Sequence, residues 1–125
     1  MSYELIDEDK GLLFRFSGDV TFDELTLANQ EGWEHPDWDK HQYQIWDYMN
    51  ASTLTGSELQ FKMMSSMDKV HSQQTQPMKF ALISDNQQII TVLESYTTVS
   101  QNEKMESRLF SDEETAREWI SQSLK

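Results

Sequence analysis

Three stretches of this chain hold residue types that could do chemistry. The first is His35-Pro36-Asp37-Trp38-Asp39-Lys40-His41. In an extended segment alternate residues share a side, so two imidazoles and two carboxylates would converge as ligands for zinc or a related transition metal. Pro36 and a turn would break that alternation, and Lys40 would repel a cation. The expectation is therefore a loop leading into a strand, with His41 an ordinary surface histidine and no metal. The second stretch is the hydroxyl-rich run Ser52, Thr53, Thr55 and Ser57, just ahead of an amphipathic pattern. A helix N-terminus carries about half a positive charge and free N–H groups, so a phosphate on Thr55 or Ser57 would be tolerated there. Equally, Thr55 would serve as a plain N-cap and Ser57 as a solvated first-turn residue. The third is aromatic: Trp33, Trp38, Trp46 and Tyr48 fall around one loop and the strand after it. Such rings either line an apolar pocket or pack a core. Asp47, among them, is an acid near a strand end, where α/β folds often bind ligands, or else a partner for backbone donors of the next loop.

Catalysis has less to draw on. No serine sits in a nucleophile elbow, and the four glycines form neither a phosphate-cradling nor a dinucleotide loop. No catalytic residue and no cofactor is expected. With 22 acidic against 10 basic residues the formal net charge is −12, which repels phosphate backbones and anionic lipid surfaces. The bases are scattered, so nucleic-acid binding is not expected. The acidity suits solubility or a basic partner. There is no cysteine, hence no disulfide or thiolate metal site, as suits the cytoplasm. The acidic start MSYELIDEDK lacks the apolar region of a signal peptide, and no run reaches the ~18 apolar residues that membrane insertion needs.

The elements that must position these residues follow from capping and periodicity. A length of 125 residues fits one domain spanning 1–125. Capping boxes are offered by Thr21/Glu24, Thr55/Glu58, Asp85/Gln88 and Ser111/Glu114. Four helices are predicted at roughly 22–33, 56–72, 86–99 and 112–123. Their core stripes are Phe22, Leu25 and Ala28; Leu59, Met63, Met67 and Val70; Ile89, Val92, Leu93 and Tyr96; and Ala116, Trp119 and Ile120. Met64 falls off the second stripe, so this adaptable side chain is expected on a contact surface. Tyr3 to Ile6 and Leu12 to Phe16 read as a hairpin, Tyr43 to Met49 and Met78 to Ile83 as buried strands, and Leu109-Phe110 as the end of a weaker strand. The order ββαβαβαβα predicts an α/β fold. Its five-stranded sheet would be mixed, mostly parallel, with right-handed crossovers.

This pattern resembles the STAS-like fold, and within it the SpoIIAA-like group, which is also compared with the SEC14-type lipid-binding domain. Three segments carry the resemblance: Phe16-Ser17-Gly18 followed by Val20-Thr21-Phe22-Asp23-Glu24-Leu25; Ile45-Trp46-Asp47-Tyr48 with the Ser/Thr-rich stretch after it; and the tail from Arg108 to Ile120. In the anti-sigma-factor antagonists of that fold, a serine opening the helix after the central strand is phosphorylated and switches partner binding. The matching stretch here runs from Asp47 to Glu58 and lacks the compact Asp-Ser-Ser-Gly motif. The resemblance implies a non-enzymatic regulatory or protein-interaction module, with Ser52, Thr53, Thr55, Ser57 and Met64 as its contact and phosphorylation candidates. The alternative is a carrier of a small apolar ligand or lipid, using Trp33, Trp38, Trp46, Asp47 and Tyr48. The sequence does not specify an oligomeric state.

Overall fold

The computed structural model describes residues 3–72, 77–99 and 105–122. Its elements are β1 (Tyr3–Asp7), β2 (Gly11–Thr21), α1 (Phe22–Glu34), β3 (Tyr43–Thr55), α2 (Glu58–Ser72), β4 (Met78–Ile83), α3 (Gln87–Val99), β5 (Met105–Phe110) and α4 (Glu113–Ser121). The strands form one sheet in the order β1-β2-β3-β4-β5. β1 is antiparallel to β2 and the remaining pairs are parallel. Each crossover therefore steps the same way across the sheet, and right-handedness sends α1, α2 and α3 to one face. Their side of the core joins Leu12, Phe14, Phe16, Trp46, Tyr48, Phe80 and Leu82 to Leu25, Phe61, Leu93 and Tyr96. α4 returns to the other face, where Ala116, Trp119 and Ile120 cover Leu13, Ile45, Ala81 and Ile83.

Local chemistry sets the helix starts, displaced from three of the four expected positions. Thr21 caps α1 as predicted, accepting from Glu24 N–H at 3.2 Å. In α2 the reciprocal box is Ser57/Gln60: Ser57 N–H donates to Gln60 Oε1 at 2.8 Å and Gln60 N–H to Ser57 Oγ at 3.0 Å. Asn86, rather than Asp85, accepts from Gln88 N–H at 2.9 Å. Asp112, rather than Ser111, accepts from Thr115 N–H at 2.7 Å. Polar residues cluster at each of these starts, so spacing alone leaves the cap ambiguous by one or two positions.

β2 and β3 run well past the ends at Phe16 and Met49 that hydrophobicity suggests. Beyond the Asp47↔Ile83 pairing β3 leaves β4 behind and continues against β2 alone, through Ser17↔Asn50 to Thr21↔Thr55. Two register shifts bend this ribbon, and Gly18 takes the φ of 69° that one of them needs. The free edge of β3 is covered by α3: Gln88 accepts from Leu54 N–H at 3.3 Å and donates to Leu54 C=O at 3.0 Å, acting as a peptide-like edge cap.

α4 is clamped by an ion network. Arg117 reaches Glu8 at 2.8 Å and Glu113 at 2.7 Å, Arg15 bridges Glu113 at 3.0 Å and Asp47 at 3.5 Å, and Tyr43 donates to Glu8. The Arg117 guanidinium holds both the Glu8 and the Glu113 carboxyls below their ordinary range. Depressed folded-state values contribute stability that is complete above the unfolded value and fades as pH falls through the folded one. Arg117→Ala is thus expected to destabilise by about 1 kcal/mol at pH 7. That gap should close as pH drops below the ordinary glutamate value of 4.5, which urea melts across an acid series would measure.

Candidate functional site

The hydroxyl-rich segment is not a loop. Ser52, Thr53 and Thr55 lie on β3 with exposed side chains; Thr53 and Thr55 are paired to β2, and Ser52 is the extra residue at the register shift between Ala51 and Thr53. Thr53 donates to Asp19 at 2.9 Å and Thr55 to the Val20 carbonyl at 3.3 Å, so Thr55 ties the ribbon rather than capping a helix. That leaves Ser57, exposed at the α2 N-cap, as the hydroxyl at the polarised helix end. Gly56 precedes it because the Phe61 ring closes over the backbone there: a Cβ would meet that ring at 2.5 Å.

α2 presents the reverse of the face its hydrophobicity suggests. The predicted core stripe points to solvent, with Leu59 67%, Met63 57%, Met67 59% and Val70 65% exposed. Met64, expected on a contact surface, is only 8% exposed and packs inward with Phe61. At 100° per residue the four exposed side chains fall within an arc of about 80°, while Phe61, Met64, Ser65 and Asp68 occupy an arc centred about 150° away. The helix is apolar on two opposite sides, and its inner side also carries a serine and an aspartate.

Those two polar groups hold the helical layer together. Asp68, 1% exposed, accepts from Asn29 Nδ2 at 2.8 Å, Trp33 Nε1 at 3.0 Å and Tyr96 Oη at 2.5 Å. It thereby joins α1 and α3 to α2. Ser65 adds a bond from its Oγ to the Tyr96 carbonyl at 2.8 Å. Burial, reinforced by the Asp68 charge, pushes the Tyr96 phenol well up, and burial alone raises Tyr48, so both stay protonated hydrogen-bonding groups. The cavity between them, lined also by Trp46, Phe61 and Leu82, has about 20 Å³, room for one water rather than a ligand.

The five residues grouped as a pocket by sequence separate into three places. Trp46 and Tyr48 point into the helical-face core, stacked with Phe14 and Phe16. Asp47, one residue along the strand, faces the opposite side and is bound to Arg15 and to Met49 N–H. Trp33 and Trp38 meet edge to face at 5.8 Å and line a surface groove of about 380 Å³ between α1 and α2, with Asn29, Gln30, Glu34 and Met67. Met67 belongs to the exposed stripe, so groove and stripe form one continuous apolar surface. α1 contributes the carboxylate of Glu34 to the groove's lining and no basic residue. Lys62, on the stripe side, is tied to Glu58 at 2.8 Å.

The histidine segment also departs from expectation. Tandem turns, Trp38 N–H to His35 C=O at 3.1 Å and Lys40 N–H to Asp37 C=O at 2.8 Å, fold it back on itself. They bring the His35 and His41 rings to 4.8 Å, where alternation would have been lost in an irregular loop. His41 is buried, 2% exposed, not at the surface. Burial and the neighbouring His35 push its pKa down, so its imidazole is neutral at pH 7. The carboxylate that joins the two rings within ligand reach is Asp7 from the hairpin, whose Oδ2 lies 3.3 Å from His35 Nε2, while Asp37 and Asp39 act on His41 only through their charge. A long-range partner of this kind leaves no spacing signal.

Comparison with known proteins places the fold. The chain has a SpoIIAA-like α/β fold, shared with an uncharacterised protein of the DUF3478 family from Shewanella loihica PV-4 whose solved structure has that fold. The two superpose with a TM-score of 0.53 over 94% of this chain and 91% of the other, at 13% sequence identity. No family model matches the sequence. No curated protein matches it either.

Proposed function

We propose that this SpoIIAA-like chain is a non-enzymatic protein-interaction module. Its docking surface is the outer stripe of α2 together with the α1/α2 groove, and its partner is an amphipathic helix with basic flanks. The observation that carries this reading is the exposure of Leu59, Met63, Met67 and Val70 in line on one helix. From the first to the last the stripe runs about 16 Å at the helical rise, three turns of a partner helix. A contiguous apolar surface of this sort marks an interaction site, and methionines suit one that adapts to its partner. Glu34 in the groove, within a chain of net charge −12, favours a basic partner over a second, equally acidic copy. A binding role fits the interior as well. Asp68 is committed to donors of its own fold, and the cavity beside it is water-sized. No helix among the described residues is long and apolar enough to cross a membrane.

Titration with a synthetic amphipathic helix, leucines on one face and lysines beside them, tests the reading through Trp33 and Trp38 fluorescence. Saturable binding should weaken at least tenfold in Met63→Glu/Met67→Glu and fall with added salt. Equal binding by wild type and the double variant sinks the proposal. A sedimenting dimer abolished by the same variant would assign the surface to self-association instead, and a small molecule retained in native mass spectrometry would assign the groove to an apolar ligand. The regulatory version narrows to Ser57, exposed two residues before Leu59. Negative charge there, mimicked by Ser57→Glu, should strengthen binding of the basic helix at low salt; an unchanged affinity removes the switch.

A further inference from the structure

We propose that Asp7, His35 and His41 form a binding site for a divalent ion of the zinc class. The three residues come from the end of β1, the C-cap of α1 and the segment leading into β3. Each offers one donor atom, and these atoms lie within 4.8 Å of one another. Around zinc, with bonds of about 2.0–2.1 Å, tetrahedral neighbours sit about 3.4 Å apart. The Asp7 Oδ2 to His35 Nε2 edge is already 3.3 Å. The widest edge, at most 4.8 Å, needs to close by about 1.4 Å to reach that geometry. Two imidazoles with one carboxylate select zinc, nickel or cobalt over the oxygen-seeking magnesium and calcium, and they leave a position open for water or another ligand.

The surroundings accept a cation. Lys40 turns outward, 78% exposed at its side chain and 3.9 Å from Asp37 Oδ1, so its charge is directed to solvent. His41 is buried behind the cluster while Asp7 is exposed in front of it, giving an ion a route in from the hairpin side. One local bond must yield. Asp37 N–H donates to His35 Nδ1 at 3.1 Å, which keeps the neutral ring's proton on Nε2, towards Asp7. Coordination through Nε2 relocates that proton to Nδ1 by way of solvent, with no net release, and breaks the Asp37 contact. Binding should therefore rearrange the turns at 35–40, the segment that carries Trp38.

The experiment is a zinc titration of the full chain after treatment with a chelator, in competition with a chromogenic chelator and followed by nitrogen-15 NMR of the imidazoles. The expected result is one ion per chain at micromolar affinity or tighter, with His35 and His41 resonances shifting while those of His71 hold still. Asp7→Asn and His35→Gln, at positions outside the packed core, should each weaken binding at least tenfold. His41→Asn risks misfolding, so the other two variants decide. Wild-type affinity in both of them, or equal shifts at His71, would mean adventitious binding to surface carboxylates and overturn the site. Cobalt(II) absorption gives a second readout: a weak octahedral aquo-like spectrum, unaltered by Asp7→Asn, would overturn it too.

Discussion

Asp68→Ala is expected to lower stability by about 3–5 kcal/mol, the largest effect of any polar substitution in the helical layer. The carboxylate receives bonds from Asn29, Trp33 and Tyr96; the buried Tyr96 hydroxyl left without an acceptor costs about 1–3 kcal/mol, and the half-buried Asn29 and Trp33 donors cost less. The adjoining cavity of about 20 Å³ would merge with the space vacated by the carboxylate. Water entering there would offset part of the loss, which keeps the total below the sum of three full penalties. Asp68→Asn separates hydrogen bonding from volume. Its amide oxygen can still accept from Asn29 and Trp33, and its amide nitrogen can donate to the Tyr96 oxygen, so it should recover most of the stability. Tyr96→Phe, which removes one donor, should cost about 1 kcal/mol. Urea denaturation measures all three. An alanine variant within about 0.5 kcal/mol of wild type would show that the aspartate does not join the helices. The consequence reaches the surface, because Asn29 and Trp33 line the groove and Met67 is the neighbour of Asp68 in the chain. The alanine variant should therefore also shift and broaden Trp33 emission.

That dependence explains which parts of the molecule could be read from the chain and which could not. The third and fourth helices were legible because each has a single apolar stripe: Ile89, Leu93 and Tyr96, and Ala116, Trp119 and Ile120, are all buried. The parallel sheet followed from alternating elements, and the hairpin from the paired runs Tyr3 to Ile6 and Leu12 to Phe16. The length of β3 was not legible. Asn50 to Thr55 is polar and reads as a loop, yet its backbone is held by β2 on one side and by the Gln88 amide on the other. Both partners are more than thirty residues away in the chain. The pocket grouping failed on strand alternation, which sends Trp46 and Tyr48 to one face and Asp47 to the other. The histidine cluster was half visible: the two imidazoles stood out by type, while Asp7 enters only through tertiary folding. The face of α2 runs against its hydrophobicity because the interior is satisfied by a polar hub, freeing the more apolar arc for solvent.

The two arcs of α2 make opposite predictions for paired substitutions, and the contrast decides between a docking helix and an ordinary core helix. Phe61 is buried and meets Phe22 edge to face at 5.4 Å, so Phe61→Ala is expected to cost about 3–5 kcal/mol. Met63→Glu, two residues on at a side chain 57% exposed, removes little packing and should change stability by no more than about 0.5 kcal/mol. Its charge would lie next to Lys62 in sequence, on the edge of the exposed Lys62–Glu58 pair, and surface ion pairs of this kind are worth little in either direction. Had the Leu59–Met63–Met67–Val70 arc been the core stripe, Met63→Glu would bury an unpaired carboxylate and abolish folding, and Phe61→Ala would be mild. Melting both variants under one set of conditions distinguishes the cases without knowledge of any partner. A stable Met63→Glu chain that no longer binds a basic amphipathic helix would mean that the arc contributes nothing to holding the fold. Its four large apolar side chains would then be explained by what docks on them, since leaving them in water lowers solubility and adds no stability.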